Sequence, residues 1–409
     1  MTMTLTAAPV AMTPARPRLI TAPLLQRLVT MLGASLSFYL LLSAVPLYAT
    51  ATSGAGAAGL ATGALMVATV AGESVTPRLV ARFGYRLALT AGLILLGAPS
   101  LALIGHGGLY WITAVCVVRG LGFAIMVVAG GALTAELVPA ERRGEGLALV
   151  GAVAGVPALA ALPAGVWLAG RAGYGLVFAL GAATALAALA AVPGLPGRRR
   201  HQHERNNGTD ARPAPSGALL AAVTTPALRR PAIVFAATTA AAGVIVTFVP
   251  LLLASAAGLS TALALFAQAA SATVARVAIG RYTDRRGAAH LLVPALLLAA
   301  AGIGLLALPG GPAMVIAGSV VFGAGFGVAQ NATLSLMYAR ATADAYTAVS
   351  ALWNIAYDAG MGAGAAIFGL LAGQAGYSTA FAITAVVMLT AVLPARRDRG
   401  CWPGRGAAR

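Results

Sequence analysis

The chain contains no lysine; all 27 of its basic residues are arginines. A phosphate-binding loop of the G-x-x-x-x-G-K-[ST] kind cannot be written without lysine, which excludes a nucleotide-driven pump carried on this chain and removes Schiff-base chemistry. Charge of either sign is scarce: 9% of the 409 residues are charged and 59% are hydrophobic, with a mean hydropathy of +0.88. A water-soluble chain of this length needs a far more polar surface, so these numbers define a polytopic membrane protein. The two cysteines, Cys116 and Cys401, cannot build a disulfide framework. Residues 1–23 hold no apolar core of the signal-peptide kind, so the first span is expected to stay attached. A net charge of +17 would suggest nucleic acid in a soluble protein, but here the arginines follow the membrane and no nucleic-acid partner is expected.

A helix needs roughly 20 apolar residues to cross the hydrocarbon. That rule predicts an all-α protein with twelve spans, at 24–49, 56–79, 87–105, 109–133, 146–169 and 174–193, then 231–253, 259–279, 289–308, 312–337, 347–372 and 376–394. Alternate connections (50–55, 254–258, 309–311 and 373–375) are uncharged, whereas the others carry Arg78, Arg82, Arg86, Arg142, Arg143, Arg281, Arg285, Arg286 and Arg340. The positive-inside rule then puts both termini in the cytoplasm. The expected organisation is a lead-in over 1–23, a six-helix bundle over 24–193, a basic linker over 194–228, a second six-helix bundle over 229–394 and a basic tail over 395–409. The linker, with Arg198-Arg199-Arg200-His201-Gln202-His203 and then Pro213 and Pro215, reads as a solvated tether able to meet anionic lipid head groups. Such a tether is too short and too basic for a folded signalling domain, which argues against a sensor. All-arginine usage with abundant alanine points to a bacterial genome of high G+C content and hence to the bacterial plasma membrane.

The two halves superimpose at a constant offset. Val117-Val118-Arg119-Gly120-Leu121-Gly122-Phe123 meets Val320-Val321-Phe322-Gly323-Ala324-Gly325-Phe326, a shift of 203 positions (117 to 320). At the same shift Arg82 and Gly84 fall on Arg285 and Gly287, and Gly173 falls on Gly376. Duplicated six-helix halves are the pattern of a carrier that rocks about a central site.

The connection Gly280-Arg281-Tyr282-Thr283-Asp284-Arg285-Arg286-Gly287 resembles the loop signature G-x-x-x-D-R-x-G-R-R of the major facilitator superfamily, with Gly280, Asp284, Arg285 and Gly287 in register. The first-half copy keeps Arg82, Gly84 and Arg86 but has Pro77 and Ala81 where the glycine and aspartate belong. The resemblance implies a fold of two six-helix pseudo-repeats that works as a monomer. It also implies that Gly280, Asp284, Arg285, Gly287, Arg82 and Gly84 form a gating loop. Arg119 matches the arginine of a family motif in span four that is linked to proton movement. Span five, with Gly146, Gly151, Gly155, Pro157, Pro163 and Gly165, is loosely similar to the Gly/Pro-rich signature of the family's proton-coupled efflux branch.

Charges within spans are informative because each costs about 2.5–3.5 kcal/mol at the bilayer centre. Three lie within spans, Glu73, Arg119 and Asp358, with Glu73 deeper toward the cytoplasm, about 9 Å from that end of span two. At about 1.5 Å per residue, Arg119 sits about 15 Å from the outer end of span four and Asp358 about 16 Å from the inner end of span eleven, both near the midplane. Only a carboxylate can carry a proton, since arginine stays charged. Asp358 is therefore expected to titrate with Arg119 beside it and Glu73 as a second acidic partner; a permanent ion pair is the alternative. Candidate cavity residues are Tyr39, Gln268, Gln330, Asn331, Asn354 and Tyr357, with Phe38 and Phe326 read as packing residues, and Gly360, Gly362 and Gly364 as sites of close helix approach. No metal-ligand constellation or nucleophile–base pair is visible, so no enzyme, metal or cofactor is expected, only a proton gradient as the energy source. The expectation is a secondary carrier exporting a small organic, drug-like or metabolite molecule, with proton-linked uptake of a sugar or nucleoside as the alternative.

Overall fold

A computed structural model describes residues 20–54, 56–139, 142–196, 218–253, 259–342 and 345–399. Every regular element among them is helical: α1 (Ala22–Ser53), α2 (Ala57–Leu101), α3 (Leu109–Leu137), α4 (Arg143–Ala172) and α5 (Tyr174–Ala187, continued as a 3-10 turn to Gly194). Then follow α6 (Ala218–Thr224), α7 (Pro226–Leu252), α8 (Leu259–Arg286), α9 (Leu292–Leu306, preceded by the 3-10 turn Ala289–Leu291), α10 (Gly311–Ala339), α11 (Tyr346–Thr390) and α12 (Val392–Arg399). Helix starts follow local chemistry: the Thr21 hydroxyl accepts from Leu24 N, and proline opens α1, α7 and α10, where its missing N–H is no loss.

Among the described residues ten helices are long and apolar enough to cross a membrane, rather than twelve separate ones. The difference lies in two connections. The turns expected near 80–86 and 373–375 do not interrupt α2 and α11, which run for 45 residues each and break only at Gly84 (φ 78°) and Gly376 (φ 79°). Gly173 and Gly287, their partners at the 203 shift, are left-handed too, with φ of 82° and 80°. A side chain would strain all four positions. Part of the expected linker is helical as well, since Ala218–Thr224 forms α6.

The repeat reappears in the packing. Gly122 abuts Leu96 N and Gly92 O, and Gly325 abuts Ala299 N and Ala295 O; Gly120 abuts Leu65 O, and Gly323 abuts Gln268 O. Each contact in the first half has its counterpart 203 positions on, so the small residues that bring α2 and α3 together also bring α8 and α9 onto α10. Large apolar side chains such as Val67, Val274, Val277, Leu370 and Val386 point outward. That suits a lipid-facing surface, where helices satisfy their own backbone groups.

Helices α1–α5 pack chiefly on one another, as do α7–α12. They meet along two seams, α2 against α11 and α4 against α8. The first seam is close because glycines line it: Gly59 lies on Ala365 O and Gly369, Gly63 on Gly362 O, and Gly362 on Met66. A hydroxyl pair, Thr62 and Thr247 at 3.0 Å, ties α2 to α7 nearby. These contacts gather at the end of the bundle where α1 stops and α2 starts.

Candidate functional site

Between the seams lies a cavity of about 250 Å³ whose polar wall comes from Tyr39 on α1, Gln268 and Arg276 on α8, Gln330 on α10 and Tyr357 on α11. It adjoins a second cavity of about 440 Å³, enclosed by α1, α3 and α4, with which it shares Tyr39 and Ala154. That second chamber is mostly apolar and runs toward the end where α1 and α4 begin, past Met31, Phe123, Met126 and Val138. The two chambers together extend from the middle of the bundle toward that end, and toward the opposite end the glycines bring α2 and α11 close.

Four expected cavity residues, Tyr39, Gln268, Gln330 and Tyr357, line this site together. Two others do not. Asn331 accepts from the Thr283 hydroxyl at 3.0 Å and lies beside Gly280, tying α10 to the end of α8. Asn354 is half-buried on α11 and lines neither chamber. Phe38 is a packing residue, stacked on Phe123 with centroids 3.6 Å apart. Phe326 both packs against Phe322 and Phe235 and lines the cavity. Next to it, Phe235 stacks on Trp353 at 4.3 Å, and Trp353 donates to Thr333. The glycines of α11 do bring helices together: Gly360 and Gly364 meet α7, and Gly362 meets α2.

The charged residues differ from expectation in their pairing. Arg119 is 1% exposed and donates to two backbone carbonyls, Leu96 O at 3.1 Å and Ser37 O at 3.2 Å. It faces α1 and α2 within its own half, so the expected Arg119–Asp358 pairing is not what the structure contains. Asp358 instead meets Glu73: the two carboxyl groups, on α11 and α2, face each other across the seam. Asp358 is 5% and Glu73 8% exposed, and Glu73 Oε1 has no hydrogen-bond donor among the described residues. Sequence reading named both residues yet set them in different relations, because hydropathy reports depth along a helix and not the direction a residue faces.

Two in-span arginines went unassigned. Arg27, near the start of α1, is buried with Nε on Gly130 O and Nη1 on Thr30. Arg276 is half-buried in the central cavity. Its signal was legible, since at the 203 shift it replaces Glu73 with a residue of opposite sign. Of the expected gating loop, Gly287 N donates to Thr283 O at 2.9 Å, Gly84 forms the break in α2, and the exposed Arg82 lies 5.2 Å from the Phe83 ring. The side chains of Asp284 and Arg285 lie outside the described residues.

Two helical sets joined along two seams, with a cavity between them open toward one end, make a membrane carrier rather than an enzyme. Residues 28–365 match the Major Facilitator Superfamily, and the chain belongs to that family. No curated protein matches it in sequence. Among solved structures it is similar to a mutant form of the nucleoside transporter NupG, with a TM-score of 0.72 and 12% identity over 92% of this chain and 99% of that one. It is similar also to the xylose transporter XylE from E. coli in a partially occluded inward-open conformation, with a TM-score of 0.70 and 14% identity over 95% and 100%. A third is a bacterial homologue of the human lysosomal transporter Spinster, inward-facing and unoccupied, with a TM-score of 0.69 and 14% identity over 93% and 96%. At these identities the likeness is one of fold. The protein is a multi-pass membrane transporter.

Proposed function

We propose that the protein is a monomeric, proton-coupled exporter of a small organic molecule in the bacterial plasma membrane, working by alternating access. The observation that carries this reading is the Glu73–Asp358 pair. Two carboxyl groups in contact in an apolar interior cannot both be ionised at tolerable cost, so they hold a proton between them. They also sit on the seam that must part if the closed end is to open. Losing the proton sets two like charges against each other across α2 and α11, and binding it draws the seam together. That links proton occupancy to which end is open, with no cofactor besides the gradient.

A helix of 45 residues is about 67 Å long at about 1.5 Å per residue, over twice the roughly 30 Å of hydrocarbon. α2 and α11 are therefore proposed to cross twice, turning at Gly84 and Gly376, which gives twelve crossings. With the arginine-rich connections in the cytoplasm, both termini are cytoplasmic and the cavity faces inward. In this orientation Gly280, Asp284, Arg285 and Gly287, with Arg82 and Gly84 opposite, form the cytoplasmic loops that close when the halves rock. Export is favoured over sugar or nucleoside uptake by the mostly apolar inner chamber, which offers a hydroxyl-rich nutrient few hydrogen-bonding groups beyond Ser35, Tyr39, Thr134 and the already engaged Arg27.

The test is accumulation of dyes and antibiotics in a pump-deficient host, with and without a protonophore. Lower accumulation that the protonophore abolishes, and that Asp358→Asn abolishes at normal expression, is the expected result. Raised accumulation of a compound would reverse the direction. Lowered accumulation indifferent to the protonophore would end the proton-coupled reading.

A further inference from the structure

Among the described residues Arg276 is the one charged residue lining the central cavity, and it makes no hydrogen bond or ion pair with any of them. The contrast with the neighbouring arginines is instructive. Arg27 donates to the Gly130 carbonyl and the Thr30 hydroxyl and Arg119 to two backbone carbonyls, whereas Arg276 lines the cavity together with Tyr39 and Tyr357, its guanidinium near Gly155 of α4. The carboxyls of Glu73 and Asp358 are engaged with each other across the seam and do not line this chamber. A charge at this depth is costly unless something answers it. Among the described residues no group answers it, which leaves the cargo to do so.

Building on the transport reading above, we infer that the cargo is an amphiphilic monoanion, with its carboxylate or an equivalent single negative group on Arg276. The planar fork of the guanidinium suits a bidentate carboxylate, and Tyr39, Tyr357, Gln268 and Gln330 ring it with further donors. One unengaged arginine answers one charge; a phosphorylated dianion needs more. The apolar remainder of the molecule extends into the adjoining chamber of about 440 Å³, past Met31, Phe123 and Met126. Methionines and aromatic rings tolerate varied apolar shapes, so the site selects charge more strictly than shape.

Three probes with one aromatic body separate charge from shape: naphthoate, naphthalenemethanol and naphthalenemethylamine, titrated into the purified full-length protein by naphthalene fluorescence. Naphthoate is expected to bind at least about tenfold more tightly than the other two, the scale of one charged hydrogen bond. Arg276→Gln should bring naphthoate to the level of the alcohol, while Arg276→Lys keeps most of the preference. The inference is overturned if the alcohol or amine binds as tightly as naphthoate, if none of the three binds, or if Arg276→Gln leaves naphthoate unchanged. Dissipation of a proton gradient in proteoliposomes keeps this apart from the transport reading. A gradient dissipated by the alcohol or amine without any naphthoate preference leaves transport standing and removes the anion. Naphthoate binding that depends on Arg276, in vesicles where no compound moves protons, does the opposite.

Discussion

If the Glu73–Asp358 carboxyls hold a proton across the α2–α11 seam, removing it should push the seam apart. Two unit charges about 4 Å apart at an effective dielectric of about 20 repel by about 4 kcal/mol, enough to change a conformational equilibrium about a thousandfold. The sign follows from linkage: the closed seam holds the proton and the parted seam releases it, so acid favours closure and rising pH favours separation. Glu73→Gln and Asp358→Asn each leave at most one charge, abolish the repulsion and should keep the seam closed across the pH range. Spin labels on Leu60 of α2 and Ile367 of α11, both outward-facing at 47% and 57% exposure, report the separation once Cys116 and Cys401 are replaced by alanine and serine. The wild-type distance distribution should lengthen as pH rises, and both variants should stay at the short distance. A wild-type distance indifferent to pH, or variants that lengthen as it does, would refute the reasoning.

Other consequences are simpler. Gly362→Val drives a branched side chain into Met66 at the seam; overpacking of this kind costs about 1–3 kcal/mol and should cut transport more than it lowers Tm, because the clash falls between moving parts. Arg119→Gln leaves the Leu96 and Ser37 carbonyls without their donor, so Tm should fall while the pH profile of transport keeps its position; a shifted profile would give Arg119 back its expected part in proton movement. The buried Asp398 carboxylate on α12 accepts from Arg340 at 2.9 Å with Arg230 at 3.8 Å. Asp398→Asn should release the C-terminal helix at a cost of about 2 kcal/mol, a charge-assisted hydrogen bond's worth, read as earlier proteolysis of the tail with transport per folded molecule unchanged. Gly376→Ala forces a side chain into left-handed backbone and should cost about 1–2 kcal/mol in thermal stability.

Much of the fold was legible because the membrane imposes a coarse rule: long apolar runs become helices, though α8, expected to end at 279, runs on to Arg286. What escaped were the two joints at Gly84 and Gly376, where a whole turn shrinks to one glycine; yet the repeat had already paired these positions with Gly287 and Gly173, and all four share the same backbone sign. Tyr39, Gln268, Gln330 and Tyr357, polar residues that interrupt apolar helices, come to line one cavity. Asn331 interrupts a helix too, but ties α10 to α8 within its own half, and Asn354 lines neither chamber. The pairing of charges was not legible at all, since depth placed Arg119 and Asp358 at one level while the rotation of α3 turned Arg119 inward. Arg276 was visible as the opposite-signed counterpart of Glu73, a clue that only the cavity made meaningful.

The most direct test is proton movement itself. In everted vesicles holding a proton gradient, addition of a transported compound should dissipate the gradient with the wild-type protein and fail to do so with Glu73→Gln or Asp358→Asn at equal expression. Dissipation that persists in both variants would contradict the account, because the proton would then cross without the pair.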